Sequence, residues 1–317
     1  MLKDLSFTIP RYPRNPLELL DDAGFVRIDN VRLLIKVDGY AFSRALYPWC
    51  SFRDLGFRSV TAAVSDVITK GCRPVAYAVS IGIPESSSEE IVREIVNGVC
   101  EAVRFYGGYL ENLDTNVGKD GWIDVFIVGE CRVDPIPRSA ESSNVLVVPS
   151  RIGLGGIAYL SYVNNENVCN DVLEHSCRPR ISMNLVRVLE EFREGIAGSI
   201  DISDTFFETL TQLVEARRLG IYIDVNPSDL LHPRALSYAR ERSIDPITLA
   251  MMTCEEYVPV LAVRSSYVED LVDTLRSYGF EPVVLGRVIN APIISWRGEI
   301  VKPIYWSHKQ GSIVVEH

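Results

Sequence analysis

Asp54-Leu55-Gly56-Phe57-Arg58-Ser59-Val60-Thr61-Ala62-Ala63-Val64-Ser65-Asp66-Val67-Ile68-Thr69-Lys70-Gly71 reads as one helix closed by a glycine, standing between two short apolar runs. Val60, Val64, Val67 and Ile68 recur on one side at helical spacing, with Arg58, Ala62, Ser65, Asp66 and Thr69 toward the other. Asp66 therefore points away from the apolar stripe, where a solvated acidic face is the ordinary reading. Upstream, the run 31–37 ends at Asp38; downstream, the run 75–83 is stopped by Pro84. Apolar runs of this length bounded by breakers predict buried strands. Ser86 to Ser88 followed by Glu89 and Glu90 predicts the capped start of a second helix reaching Phe105, and Gly107-Gly108 closes it. With strands at 109–113 and 123–128, the first part of the chain is α/β.

Pro135, Pro137 and the polar stretch 139–144 predict a domain boundary, giving domains 1–138 and 139–317. The second part mixes the same elements. It has strands near 145–148 and 199–202, a glycine-rich turn at Gly153, Gly155 and Gly156, and a helix from Asp204 to Leu219 that Asp204 is placed to cap. A strand, helix and strand close it, the helix starting from a Ser266–Glu269 capping box. The glycine turn is a candidate phosphate cradle, but a Gly-rich signal this short is weak and an ordinary strand-to-helix turn explains it at least as well.

Composition narrows the function. In 317 residues, 32 Lys and Arg face 42 Asp and Glu, a net charge of −10, so clustered cations for a nucleic-acid backbone are not expected. An acidic protein binds a polyanion when bound cations invert the local field. The seven cysteines are scattered without a C-x-x-C pair, and their odd number favours reduced thiols in a cytoplasm. No stretch approaches 18 uninterrupted apolar residues and no signal-peptide core follows Met1, so no membrane partner is expected.

Neither G-x-x-x-x-G-K-[ST] nor the protein-kinase motifs occur. The chain carries instead a series of acidic clusters at run ends or in polar groups: Asp21-Asp22, Asp38, Ser65-Asp66, Asp114-Thr115 and Asp201-Ile202-Ser203-Asp204. A lone Asp of this kind is usually a turn former or helix cap.

In their order and spacing these clusters resemble the thiamine-monophosphate kinases, within the aminoimidazole-ribonucleotide-synthetase-like (AIR synthase related) superfamily. Leu20-Asp21-Asp22 is similar to the family's Gly-Asp-Asp, and Lys36-Val37-Asp38 to its Ser-Thr-Asp. Gly56-Phe57-Arg58 through Ser65-Asp66, Lys70-Gly71 and Arg73-Pro74 resembles its long Ser-Asp helix. Asn112-Leu113-Asp114-Thr115 resembles Gly-Gly-Asp-Thr, and Arg138-Ser139-Ala140 resembles Arg-Ser-Gly. Asp201 to Asp204 resembles Asp-x-Ser-Asp, and Cys254-Glu255-Glu256-Tyr257 resembles Gly-Glu-Asp-Tyr.

The resemblance implies an N-terminal α/β domain whose sheet forms a barrel across a homodimer, and a C-terminal α+β domain closing over the nucleotide. It implies transfer of the γ-phosphoryl of ATP to thiamine monophosphate, or to a related small phosphate ester, with Mg²⁺. It implies in-line transfer held by a metal clamp, with no residue acting as a covalent catalyst. By the same resemblance Asp22, Asp38, Asp66, Asp114, Asp201 and Asp204 are metal ligands or hold metal-bound water. Asp114, Arg138 and Ser203 contact ATP, and Glu255 lies near the acceptor. Trp306, with Trp296, is a candidate to stack on an acceptor ring, packing being the commoner role for Trp. Hard oxygens suit Mg²⁺.

The departures from the pattern are Lys36-Val37, Leu113, Thr205 and Thr253-Cys254, and Lys36 puts a fixed positive charge where a magnesium ion is expected. Two other readings follow: activation of a carbonyl or amide oxygen by ATP, and a catalytically idle nucleotide-binding dimer. His175 and His308 have no partner at catalytic spacing and are assigned no role.

Overall fold

The structure is a computed structural model that describes Tyr12 and residues 15–17, 21–307 and 309–316. Leu20 and His308 lie outside the described residues. The chain divides into two compact units, one of residues 1–46, 50–138 and 181–191, the other of residues 47–49, 139–180 and 192–317.

In the first unit, β1 (Gly24–Ile28), β2 (Val31–Ala41), β3 (Arg73–Pro84), β4 (Tyr109–Gly118) and β5 (Trp122–Glu130) form a sheet in the order β1-β2-β5-β3-β4. Only β3 and β4 run parallel. The helices are α1 (Phe42–Ala45), α2 (Phe52–Thr69) and α3 (Glu89–Tyr106). Strand β2 runs four residues past Val37 and β4 five past Leu113, so Asp38 and Asp114 lie within strands, not at their ends.

Helix α2 starts at a capping box, in which the Ser51 hydroxyl accepts from the Asp54 N–H and the Asp54 carboxylate accepts from the Ser51 N–H. Every residue from Leu55 to Thr69 is buried. The solvated-face reading of Asp66 is thereby corrected: Asp66 is 4% exposed, because α2 is packed between the sheet and α3. The two helices approach so closely that a Cβ on Gly98 would fall 1.8 Å from the Arg53 carbonyl oxygen, and one on Gly56 would fall 2.2 Å from that of Ile95. The hydroxyls this burial traps turn back on their own helix, Ser59 donating to the Leu55 carbonyl and Ser65 to that of Ala62.

Alternation sorts the strand side chains onto two faces. Leu34, Val79, Ile81, Ile123, Val125 and Ile127 are buried on the helix side. The other face exposes Val37 and Phe126, which pair across β2 and β5, and Tyr109 at the edge.

The expectation of reduced thiols is corrected at Cys72 and Cys131, which form a disulfide. Arg73 and Glu130 pair across β3 and β5, which brings the two flanking cysteines, 59 residues apart, to a Cα separation of 4.4 Å. Spacing along the chain does not reveal a neighbour across strands.

In the second unit the sheet strands are β6 (Val145–Val148), β7 (Ile196–Asp201), β8 (Gly220–Ile223), β9 (Pro259–Val263), β10 (Val283–Ile289), β11 (Ile294–Trp296) and β12 (Glu299–Ile300). Their order is β12-β11-β8-β10-β6-β9-β7, with β9 buried along its whole length. A hairpin follows, β13 (Ile304–Ser307) and β14 (Ser312–Val315). The helices are α4 (Leu154–Val163), α5 (Asn170–Cys177), α6 (Asn184–Glu191, which belongs to the first unit), α7 (Phe206–Val214), α8 (Pro227–Leu230), α9 (Pro233–Glu241), α10 (Pro246–Met252) and α11 (Val268–Ser277).

Three expected caps are corrected. Ser88 stands at the start of α3, but its side chain makes no capping hydrogen bond. Helix α7 is capped by Thr205, whose hydroxyl accepts from the Glu208 N–H while the Glu208 carboxylate accepts from the Thr205 N–H; Asp204 precedes the cap. The Ser266–Glu269 box does not form, because a 3-10 turn over Ser265–Tyr267 uses those residues before α11 begins. Among the described residues no helix is long and apolar enough to cross a membrane.

Candidate functional site

In the first unit, strand alternation divides the acidic residues. Asp114 pairs with Ser80 and Ser80 with Asp124, which puts Asp114 and Asp124 on the exposed face. Asp38 pairs with the buried Val125 and so belongs to the helix face, as does Lys36 two residues before it. Sequence reading missed Asp124, whose position opposite Ser80 is a matter of register. Burial, with the Asp38 charge added, raises the Asp124 carboxyl above its ordinary range.

On the helix face the carboxylates meet protein cations. Lys36 Nζ lies 3.2 Å from Asp38 Oδ2 and 2.5 Å from Asp66 Oδ2. Lys70 closes α2, and its side chain is wholly buried, with Nζ 2.7 Å from Asp21 Oδ1 and 2.8 Å from Asp22 Oδ2. The Arg138 guanidinium lies 2.9 Å from Asp22 Oδ1, and its backbone N–H donates to Asp21 Oδ2 at 2.8 Å. Burial would push the Asp22 carboxyl up, but Lys70, Arg138 and Lys36 together outweigh it and hold it below the ordinary value of 3.8. Burial alone would likewise lower the Lys70 ammonium; Asp22 and Asp21 hold it above 10.5. Four carboxylates thus face three fixed cations.

In the second unit, two loops about fifty residues apart in sequence are stapled together. Ile202 accepts from the backbone N–H groups of Glu256 and Tyr257, Ser203 accepts from that of Glu255, and Phe206 donates to the Thr253 carbonyl. Asp201, 3% exposed, ends β7 beside them, and Ser203 is exposed. The staple holds Glu255 and Tyr257 at φ values of 54° and 53°, in the left-handed region that non-glycine residues seldom occupy. Glu255 Oε2 accepts from the Tyr47 hydroxyl at 3.0 Å, and the Tyr47 ring stacks on Trp49 at 5.0 Å.

Strand β13 joins the same region. Thr205 Oγ1 donates to the Ile304 carbonyl, and the Trp306 N–H donates to Glu208 Oε2 at 2.7 Å. The half-buried Trp306 ring meets Tyr159 edge-on. Trp296 is 1% exposed and donates its indole N–H to the Val225 carbonyl, so it is a core residue with no ring face to offer.

The glycine turn holds a carboxylate of the chain itself. The Gly153 and Gly155 N–H groups donate to Glu256 Oε1 at 2.7 and 3.0 Å, and the Thr253 hydroxyl bonds the same oxygen. A Cβ on Gly155 would fall 1.7 Å from the Cys254 carbonyl oxygen, so glycine is required there. Glu256 Oε2 lies 3.7 Å from His175 Nε2, a partner distant in sequence. Burial lowers the His232 pKa below 6.5, and Nδ1 of this ring accepts from the Arg234 N–H.

The fit to a divalent cation differs by position. Among the described residues no group of three or more His, Cys, Asp and Glu is arranged to hold a metal ion. Between Asp38 and Asp66 the place of a cation is taken by Lys36 Nζ, and a metal does not fit beside it. Asp114, exposed and accepting a long 3.4 Å contact from Asn116, carries hard oxygen, as do Asp201 and Asp204.

The family described as AIR synthase related protein, N-terminal domain, matches residues 20–131. Thiamine-monophosphate kinase of Pyrococcus abyssi is 27% identical over 302 residues, covering 93% of this chain and 92% of the relative. The crystal structure of tt0281 from Thermus thermophilus superposes with a TM-score of 0.87 at 26% identity, covering 95% and 97% of the two chains. AaThiL complexed with AMPPCP and TMP superposes with a TM-score of 0.77 at 21% identity, covering 91% of each chain, a likeness of fold.

Proposed function

We propose that this chain belongs to the thiamine-monophosphate kinase branch of the AIR synthase related superfamily and is an ATP- and Mg²⁺-dependent phosphotransferase. It moves the γ-phosphoryl of ATP onto the phosphate of thiamine monophosphate, or of a related small phosphate ester, releasing ADP. The observation that carries this reading is a likeness to a named kinase running over nine-tenths of both chains.

Asp114 in the first unit, and Asp201 and Asp204 in the second, are each candidates to hold Mg²⁺, which would neutralise phosphate charge when bound. Asp22, Asp38 and Asp66 hold the cations Lys36, Lys70 and Arg138 in place. Arg138 and Ser203 bind ATP phosphates. Glu255, fixed by Tyr47, and Trp306 position the acceptor. In-line transfer needs little else, since positioning and charge neutralisation do most of the work in phosphoryl transfer.

The assembly is a homodimer in this reading. A second copy would cover the exposed sheet face that presents Val37, Phe126 and Tyr109, the two sheets closing a barrel. Light scattering at micromolar concentration checks it, a mass near 35.5 kDa being the contrary result.

The activity is tested by phosphorus NMR of the purified chain with ATP, Mg²⁺ and thiamine monophosphate. The expected products are ADP and thiamine diphosphate in equal amounts, abolished by EDTA. ADP formed without the diphosphate assigns a different acceptor, and ATP left intact over a screen of phosphate esters overturns the kinase reading.

A further inference from the structure

We propose that Lys36 is a resident cation standing in for a divalent ion between Asp38 and Asp66, so that this pair takes no metal in this protein. Lys36 and Asp38 are two apart on β2 and so point to the same side of the sheet, toward α2, which carries Asp66. The ammonium therefore reaches its position by backbone register, not by the chance placement of a surface side chain.

The burial is that of a built site. The Lys36 and Asp66 side chains are 13% and 6% exposed, and Nζ lies within 3.2 Å of both carboxylates. A magnesium ion needs near-octahedral oxygens at about 2.0–2.1 Å and keeps several waters. The ammonium, a compact charge with three donors, occupies that volume and binds the same oxygens. Removing it takes this ammonium from the buried Asp66 carboxylate, a loss that a divalent ion would relieve.

The neighbourhood supports the same conclusion. Asp21 and Asp22, the next carboxylates on this side, are engaged by Lys70 and Arg138. The helix-face cluster is thus close to neutral without any bound ion, unlike an all-carboxylate site, which would need several. A chelator cannot strip a covalently attached cation, so this part of the local field persists in EDTA. The inference concerns cation binding and holds whichever phosphate ester is the acceptor.

The test counts Mn²⁺ bound per chain, by the electron paramagnetic resonance of the free ion, in the wild-type protein and in Asp66→Asn, Lys36→Ala and the Lys36→Ala/Asp66→Asn double variant. Thermal unfolding with and without Mn²⁺ is followed in each. Asp66→Asn should leave the Mn²⁺ count of the wild-type protein unchanged and its affinity within about two-fold. Lys36→Ala should bind one ion more than wild type, with a melting temperature that is lowered without metal and restored by Mn²⁺, and the double variant should lose the extra ion. Loss of an ion in Asp66→Asn, or a folded Lys36→Ala chain that gains none, overturns the proposal. If Lys36→Ala does not fold, the Asp66→Asn count decides alone.

Discussion

The Lys70 ammonium lies 2.8 Å from the Asp22 carboxylate, and the lysine side chain is sealed completely from solvent. Such a pair contributes little against a well-packed apolar replacement, but removing one partner strands a buried charge. Lys70→Met should therefore destabilise the first unit by about 3–5 kcal/mol. Guanidinium unfolding would show it as a lower midpoint with an unchanged slope. A midpoint within error of wild type would mean that water compensates Asp21 and Asp22.

The same pair sets a pH window. The Asp22 pKa is depressed on folding, so its contribution is present above 3.8 and is lost as pH falls through the lower folded value. The Lys70 pKa is raised, so its contribution is full below 10.5 and is lost as pH rises through the higher folded value. Stability attributable to this pair should be flat between those limits and fall beyond each. Comparing the pH dependence of the melting temperature in wild type and Lys70→Met isolates it, and a difference that slopes through neutral pH would contradict the assignment.

Glu256 is expected to act on folding. Replacing it with Ala leaves the buried N–H groups of Gly153 and Gly155 without their acceptor, at a cost of about 1–3 kcal/mol for an unsatisfied group. Sulfate should restore part of the loss in Glu256→Ala and not in wild type, since a helix start with free N–H groups binds anions. Equal sulfate responses would count against it.

Asp114 should show the opposite profile. It is exposed and its contact with Asn116 is long, so Asp114→Asn should shift stability by no more than about 0.5 kcal/mol. On the proposed function, turnover falls by roughly 10²-fold or more as phosphate-charge stabilisation is lost. Melting temperature and steady-state kinetics on one preparation decide it; full activity in Asp114→Asn would remove this residue from the site.

Thr205→Ala should cost about 1 kcal/mol, the usual value of a lost helix cap, while Asp204→Ala should leave the capping contribution intact. Chemical unfolding of the two variants compares them directly, and the reverse order would restore Asp204 as the cap.

Much of the fold was legible because it depends on local chemistry. The α2 stretch declares a helix by spacing and its closing Gly71, and the runs around it declare strands by length and breakers. Thr205-Phe206-Phe207-Glu208 is itself a capping-box pattern, so the true start of α7 could have been read in place of Asp204. The candidate site was legible only as a set of residues. Asp38 and Asp114 were visible as acidic positions, but their separation onto two faces is a matter of strand register, which flips with a shift of one residue.

The sequence by itself determined the α/β character, the acidic clusters and the kinase resemblance, because composition, periodicity and motif order are properties of neighbours along the chain. Only the tertiary structure decided what each charge faces. Lys36 on Asp66, Lys70 on Asp21 and Asp22, and Glu256 on the glycine turn join residues about thirty to a hundred positions apart. A buried carboxylate must meet whatever cation or donor packing brings to it, and the cost of leaving it alone in a low dielectric makes that partner the determinant of its role.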